Sequence, residues 1–308
     1  MNAKEFDQFY TADDVAVSCL EKVRETLPKI GINDNEVFYL EPSAGDGAFL
    51  RAIEKVDPSR MRACVGCDID PKRKDILKRD FLHDSISDCL PTGKVVVTIG
   101  NPPFGRKGKL ASAFINKAFD YSQVVCFVLP IQFNKFSGHN QILPQAKLVF
   151  NEPLPENCFV FNGKPYSVRS CFQVWTTRET RMPDLRIRQS PKTRHPDFEM
   201  YQYNCTEEAA KFFDKNEYPW DFAVPRQGFK DYRMRETNPQ ALDRRVQWIF
   251  FKAKNKKVLS RLKNLDFEAL SRKNSTIPGF GKADVVEEYE RLYPTSATNA
   301  LIQTQLNL

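Results

Sequence analysis

The sequence predicts an α/β fold built on a doubly wound, mostly parallel sheet, followed by a smaller basic region. Three observations predict it. Short apolar runs alternate with amphipathic helical spacings through the first half of the chain, the first such run ends in a glycine-bearing turn, and the later runs end in acids or in a proline pair. Ligands of such sheets bind beyond the carboxyl ends of the strands, and the unusual residues of this chain gather at those ends.

Val15, Leu20, Val23 and Leu27 recur at helical spacing across residues 12–27, and the pattern stops near Pro28. "EVFYLEPSAGDG" reads as a buried strand running into a turn, with "GAFLRAIEKV" the helix after it. "RACVGCDID" is a second strand ending in acids, "DILKRDFL" a third element, and "KVVVTIGNPPFG" a fourth strand that ends at the prolines. A helix over about residues 110–121 leads into the strand "VVCFVLP". "NCFVFNGKPYSVRSCFQVW" reads as two strands around a Gly/Pro loop, a hairpin that would add antiparallel strands at one edge of the sheet. Thr176 to Phe198 is polar, basic and Pro-containing, and reads as a linker or entry segment. Helices are expected near 207–215, 250–262 and 284–292, and the polar tail 295–308 is expected to fray. The domains are accordingly drawn as 1–178 and 179–308.

With 308 residues, a hydrophobic fraction of 41% and 24 Phe, the chain is expected to fold into two globular domains, with one large α/β unit as the alternative. The net charge of +7 is modest, but between Arg226 and Lys273 there are 14 Lys and Arg against 5 Asp and Glu. They are interleaved with Phe229, Tyr232, Trp248, Phe250 and Phe251, a mixture suited to a polyanion-binding surface, with Arg244 and Arg245 as candidate substrate contacts. The eight Cys sit mostly in apolar stretches and read as reduced core thiols. "CVGC" at Cys64–Cys67 has no second Cys or His pair at suitable spacing, so no metal is expected. No apolar run reaches the ~18 residues of a membrane span, and no targeting segment is evident, so a cytoplasmic setting is expected.

The chemistry is carried by four strand ends. In "EPSAGDGAFL" the strand stops at Glu41, turns over Ala44, Gly45 and Gly47 and restarts as a helix, which brings backbone N–H groups close to a ligand while Glu41 accepts from a cation or hydroxyl. A GxxxxGK[ST] phosphate loop is absent from the sequence. Asp68, at the next strand end, suits both hydroxyls of a ribose, with Ile69 packing on an adenine ring. Asp80 suits an adenine amine and Phe81 the ring face. Proline fixes φ and restricts the residue before it, so Asn101-Pro102-Pro103 is a stiff extended segment. Its carbonyl and the Asn101 side-chain oxygen converge as two acceptors for an amine with two N–H donors, and Phe104 adds an aromatic face.

These motifs, "EPSAGDGAFL", "GCDID", "RDFL" and "GNPPFG" preceded by "DQFYTADDVA", resemble in their order those of S-adenosylmethionine-dependent DNA N6-adenine methyltransferases of the gamma type. The resemblance covers roughly residues 5–175. It implies a Rossmann-like class I methyltransferase fold, S-adenosylmethionine as cofactor, and a C-terminal region that recognises duplex DNA. Thr11 and Glu41 would lie near the methionine end of the cofactor above Gly45 and Gly47, with Asp68 at the ribose and Asp80 and Phe81 at the adenine. Asn101 and Pro102 would bind the target amine of a flipped adenine and Phe104 would stack on it, with Phe161 and Tyr166 both candidates for a second stacking ring. "FYTAD" departs from the pattern in lacking a proline after its threonine. Similar NPPF tetrapeptides serve enzymes of RNA base amines and of a release-factor glutamine amide, which stay open as alternatives, and a restriction nuclease is a possible partner of such an enzyme.

Overall fold

The structure, a computed structural model, describes residues 9–60, 63–273 and 277–294. The expected fraying tail and the first residues of the "DQFYT" element lie outside the described residues. Two compact units divide between Gln189 and Ser190.

The first unit runs β1 (Tyr10–Thr11), α1 (Asp13–Thr26), β2 (Val37–Glu41), α2 (Ala48–Val56), β3 (Cys64–Asp68), β4 (Leu77–Lys78), β5 (Val95–Gly100), α3 (Lys109–Ala118), β6 (Val124–Pro130), α4 (Phe136–His139), β7 (Lys147–Pro153), β8 (Phe159–Phe161), β9 (Lys164–Tyr166) and β10 (Ser170–Thr176). Seven strands form the main sheet in the order β4-β3-β2-β5-β6-β10-β7. Neighbours from β4 to β6 are parallel, while β10 runs antiparallel to both β6 and β7. The predicted doubly wound, mostly parallel α/β fold is therefore present.

Alternation along the strands explains the two layers of core. Val124, Cys126 and Val128 of β6 face the core that α1 and α2 cover, while Val125, Phe127 and Leu129 face the core covered by α3. Strand order reverses at β2: the chain passes from β2 to β3 and β4 on one side and from β5 to β6 on the other. A crevice outside the carboxyl ends follows from that reversal.

The predicted terminal hairpin is smaller and differently used. Only Phe159–Phe161 and Lys164–Tyr166 form it, and it pairs with β1 in a separate three-stranded sheet, Tyr10 opposite Val160 and Thr11 opposite Phe159. Its supposed second strand, β10, threads between β6 and β7 and is buried along its whole length, so the antiparallel strand is internal and not at an edge. The polar stretch after β10 is tied to this unit: Leu185 N donates to Leu148 O at 2.8 Å, and the Arg186 guanidinium donates to the carbonyls of His139, Ile142, Leu143 and Ala146 at 2.6–3.0 Å.

In the second unit β11 (Phe198–Tyr203), β12 (Phe222–Pro225) and β13 (Trp248–Ala253) form an antiparallel sheet in the order β11-β13-β12, joined by α5 (Lys256–Lys263), α6 (Phe267–Lys273) and α7 (Lys282–Leu292). The helix expected over 250–262 is thus corrected: Trp248–Ala253 is a central strand and helix begins only at Lys256, capped by the Asn255 side chain accepting from Val258 N. "WIFFKA" is buried on both faces, Ile249 and Phe251 against the helices and Trp248 and Phe250 on the opposite face, and a continuous apolar run carries no period that separates strand from helix. The stretch near 207–215 holds only a 3₁₀ turn at Ala210–Phe213, whereas the helix expected at 284–292 is present as α7.

Candidate active site at the strand ends

Parallel strands deliver their last residues to one edge, so Glu41 (β2), Asp68 (β3), Asp80 (after β4) and Asn101 (after β5) all line one cleft of about 370 Å³. Thr11, Ala44, Gly45, Ile69, Phe81 and Pro103 line it too. Gly47, Pro102, Phe104, Phe161 and Tyr166 are not among the described lining residues.

The turn after β2 uses its glycines as the sequence requires. Gly45 has φ +50° and Gly47 φ +85°, left-handed values that cost other residues. A Cβ on Gly45 would stand 2.8 Å from the Tyr10 ring, so that turn and β1 approach each other too closely for any side chain. Gly45 N donates to Asp68 Oδ2 at 2.7 Å and Asp70 N to Asp68 Oδ1 at 2.8 Å, which locks the carboxylate at the rim with lone pairs remaining for hydroxyl donors. Ile69 beside it is 53% exposed, an apolar surface suited to a ring.

Asp80 is held by its own turn: Oδ1 accepts from Leu82 N at 3.1 Å, and Oδ2 lies 2.9 Å from His83 Nδ1. That histidine contact, first among the causes, lowers the carboxyl below its ordinary value. Phe81 is buried, stacked on Phe114 with centroids 5.4 Å apart, and contributes to the cleft wall from within the core.

Three buried oxygens of the cleft have no hydrogen-bond partner: Thr11 Oγ1, Glu41 Oε2 and Asn101 Oδ1. Buried polar atoms are ordinarily satisfied, so three orphans around one cavity mark places for ligand donors. Burial pushes the Glu41 carboxyl well above its ordinary value, with Asp46 and Asp68 adding to the rise. With Asp70 and Asp80 also lining the cleft, its walls are strongly acidic.

Asn101 is fixed by both of its ends. Nδ2 donates to Phe9 O at 3.0 Å, which leaves Oδ1 as the open acceptor, and its backbone carbonyl accepts from Ser43 Oγ at 3.1 Å. Pro102 is buried behind it. Phe104 lies edge-on to Phe159, 6.2 Å between centroids, and Phe9 stacks on Tyr166 at 4.8 Å and meets Phe161 at 5.7 Å. Phe161 and Tyr166 therefore belong to one aromatic group, 5.6 Å apart, whose hub is Phe9.

Phe9, Tyr10 and Ser43 escaped the sequence reading. Phe9 and Tyr10 take their places from a two-residue strand pairing with a hairpin about 150 positions away, for which no local signal exists beyond the position of "FYT" before the glycine turn, and Ser43 acts through its hydroxyl on the Asn101 carbonyl, a partner 58 positions on. Arg244 and Arg245 belong to the second unit. Arg244 lies 5.0 Å from the Phe213 ring, and Arg245, 91% exposed at its side chain, pairs with Asp243 at 2.9 Å.

No protein-family model matches the chain, and no curated protein matches it. Among solved structures, the chain is similar to one from Listeria monocytogenes described as a class I S-adenosylmethionine-dependent methyltransferase, at 12% identity over 56% of this chain and 63% of that one, TM-score 0.37. It is also similar to the 23S rRNA methyltransferase ErmE, at 16% identity over 56% and 71% of the two chains, TM-score 0.37, and to DrdV from a cryo-EM DrdV–DNA complex, at 13% identity over 57% and 27%, TM-score 0.41. At these identities the likeness is one of fold alone.

Proposed function

We propose that this chain transfers a methyl group from S-adenosylmethionine to the exocyclic N6 amine of a flipped-out adenine in duplex DNA. The observation that carries the reading is the Asn101 side chain, pinned through Nδ2 so that a buried, unpartnered Oδ1 stands in the wall of an acidic cleft.

The residues present suit the cofactor. It is a cation with an ammonium group, ribose hydroxyls and an adenine ring, and the cleft offers orphaned acceptors at Thr11 and Glu41, the Asp68 carboxylate and the Ile69 surface. Bound there, S-adenosylmethionine supplies an electrophilic methyl on a sulfonium centre.

The protein's task is to make a poor nucleophile attack. An aryl amine's lone pair is delocalised into its ring. Asn101 Oδ1 and a carbonyl of the Asn101-Pro102 segment accept the two amine hydrogens in a geometry that favours a pyramidal nitrogen and so localise the lone pair. By the resemblance of its GNPPFG motif, the main-chain acceptor is assigned to Pro102. The prolines keep these acceptors from relaxing. Phe104, with Phe161 or Tyr166, would offer the flipped base roughly 1–3 kcal/mol of stacking, against a flipping cost of a few kcal/mol. In the proposed division of labour, residues 1–178 carry the cofactor and chemistry, and 179–308 carry DNA recognition through contacts such as those of Arg244 and Arg245.

The test is incubation with methyl-labelled cofactor and separate pools of duplex DNA, RNA and cell protein. Label is expected in adenine of duplex DNA, and Asn101→Ala is expected to reduce it by about 10²–10³-fold, by analogy with removing one preorganised transition-state contact, with cofactor affinity retained. Label confined to RNA or to a protein glutamine would replace the DNA reading with one of the alternatives.

A further inference from the structure

The most exposed large apolar side chain among the described residues is Phe229, at 87%. A single exposed ring on a soluble protein is ordinary. What sets this one apart is the stiffness of its support. Gly228, at φ +92°, donates its N–H to Pro278 O at 2.8 Å, and its carbonyl accepts from the hydroxyl of the buried Tyr232 at 2.6 Å. Next to it Gln227 and Gly279 form an antiparallel bridge, closed by Phe280 N donating to Arg226 O at 3.1 Å.

Ile277, two residues before the bridged Gly279, is also exposed, at 54%. Lys230 and Arg233 follow closely and are exposed, with the exposed Asp231 between them. Arg245 chiefly, and Lys230 as well, lower the Asp243 carboxyl.

A stiffly held ring with Lys230 and Arg233 close by in the chain suits a duplex whose phosphates meet the cations while the ring enters the base stack; apolar wedges of this kind unstack a base step and kink the helix. We infer that Phe229 is a wedge that inserts between base pairs of duplex DNA and holds open the distortion that base extrusion requires. The inference rests on the DNA reading above and deepens it.

The test compares wild type, Phe229→Ala and Phe229→Trp in single-turnover methyl transfer. Two substrates are used: a fully paired duplex that the wild type labels, and the same duplex with its target adenine mispaired and so already loosened. Phe229→Ala is expected to be slowed by about tenfold to a hundredfold on the paired duplex, the scale of one lost base-stacking contact, and to recover most of its rate on the mispaired one, while Phe229→Trp keeps the wild-type rate on both. Equal rates for wild type and Phe229→Ala on the paired duplex would overturn the wedge and leave the DNA reading standing. Equal slowing on both substrates would also overturn it, since a general binding contact is not relieved by a loosened pair. A wild type that labels no duplex DNA would remove both readings together.

Discussion

Glu41 concentrates the tension between folding and binding in one side chain. Its carboxyl is fully buried at the end of β2, with Oε2 unpartnered, and burial raises its pKa well above the ordinary 4.5. Below that ordinary value, folded and unfolded chains both hold the proton. Above it the unfolded chain releases a proton that the folded chain keeps, so this group's contribution to stability falls as pH rises through the folded value. Glu41→Gln is therefore expected to raise the melting temperature at pH 7–8, with the difference vanishing near pH 4, as differential scanning fluorimetry across that range would measure. A cation bound beside Glu41 favours the ionised form, so affinity for the sulfonium cofactor is expected to rise with pH in the wild type and to lose that dependence in Glu41→Gln. Asn101 is the other residue at which local rules were informative: the two prolines after an apolar run announced a stiff strand end, but nothing local revealed that Phe9 O would fix the amide.

At the scale of elements, the strand ends were legible and the neighbours of the strands were not. Glycine, acid and proline punctuation after each apolar run located Glu41, Asp68, Asp80 and Asn101 at one edge, because parallel strands must finish on the same side. Which strands lie side by side is a non-local property, and this is why β10 was expected at an edge and is found between β6 and β7. The same limit hid β13, whose uninterrupted apolar run suits either a buried strand or a buried helix. The polar stretch after β10 read as a linker because its anchors are non-local: Leu185 N donates to Leu148 O, and Arg186 donates to the carbonyls of His139, Ile142, Leu143, Pro144 and Ala146, its guanidinium 5.7 Å from the Trp175 ring. Lysine has neither the fork nor the reach to replace those bonds. Arg186→Lys is expected to destabilise the first unit by about 1–3 kcal/mol, the cost of leaving buried acceptors unsatisfied, measured by urea denaturation; no loss of stability would show that the carbonyls find other donors.

At the scale of the whole molecule, charge is sorted between the units. The cleft of the first unit is acidic, as the proposed cationic cofactor would require, while the second unit carries the basic stretch from Arg226 to Lys273. Part of that positive charge is committed internally: Arg235 lies 4.6 Å from the Phe267 ring, Arg261 4.7 Å from Tyr293, and Arg272 pairs with Glu268. Composition alone therefore overstated the surface available to a polyanion, and Lys230, Arg233, Lys254, Lys256 and Lys257 are among the exposed cations that remain. Phosphate contacts release counterions, so duplex affinity is expected to fall at least about tenfold between 50 and 200 mM salt, whereas cofactor affinity, set inside the cleft, changes far less. Fluorescence anisotropy of a labelled duplex measures the first and competition titration the second. Among the described residues no helix is long and apolar enough to cross a membrane.

The central claim is that the acidic cleft at the carboxyl ends of β2, β3 and β5 receives a sulfonium nucleoside. Isothermal titration of S-adenosylmethionine into the intact chain tests it most directly: saturable binding at one site per chain, weakened in Asp68→Ala, is the expected result. An absence of binding heat at several temperatures, or binding that Asp68→Ala leaves unchanged, would contradict it.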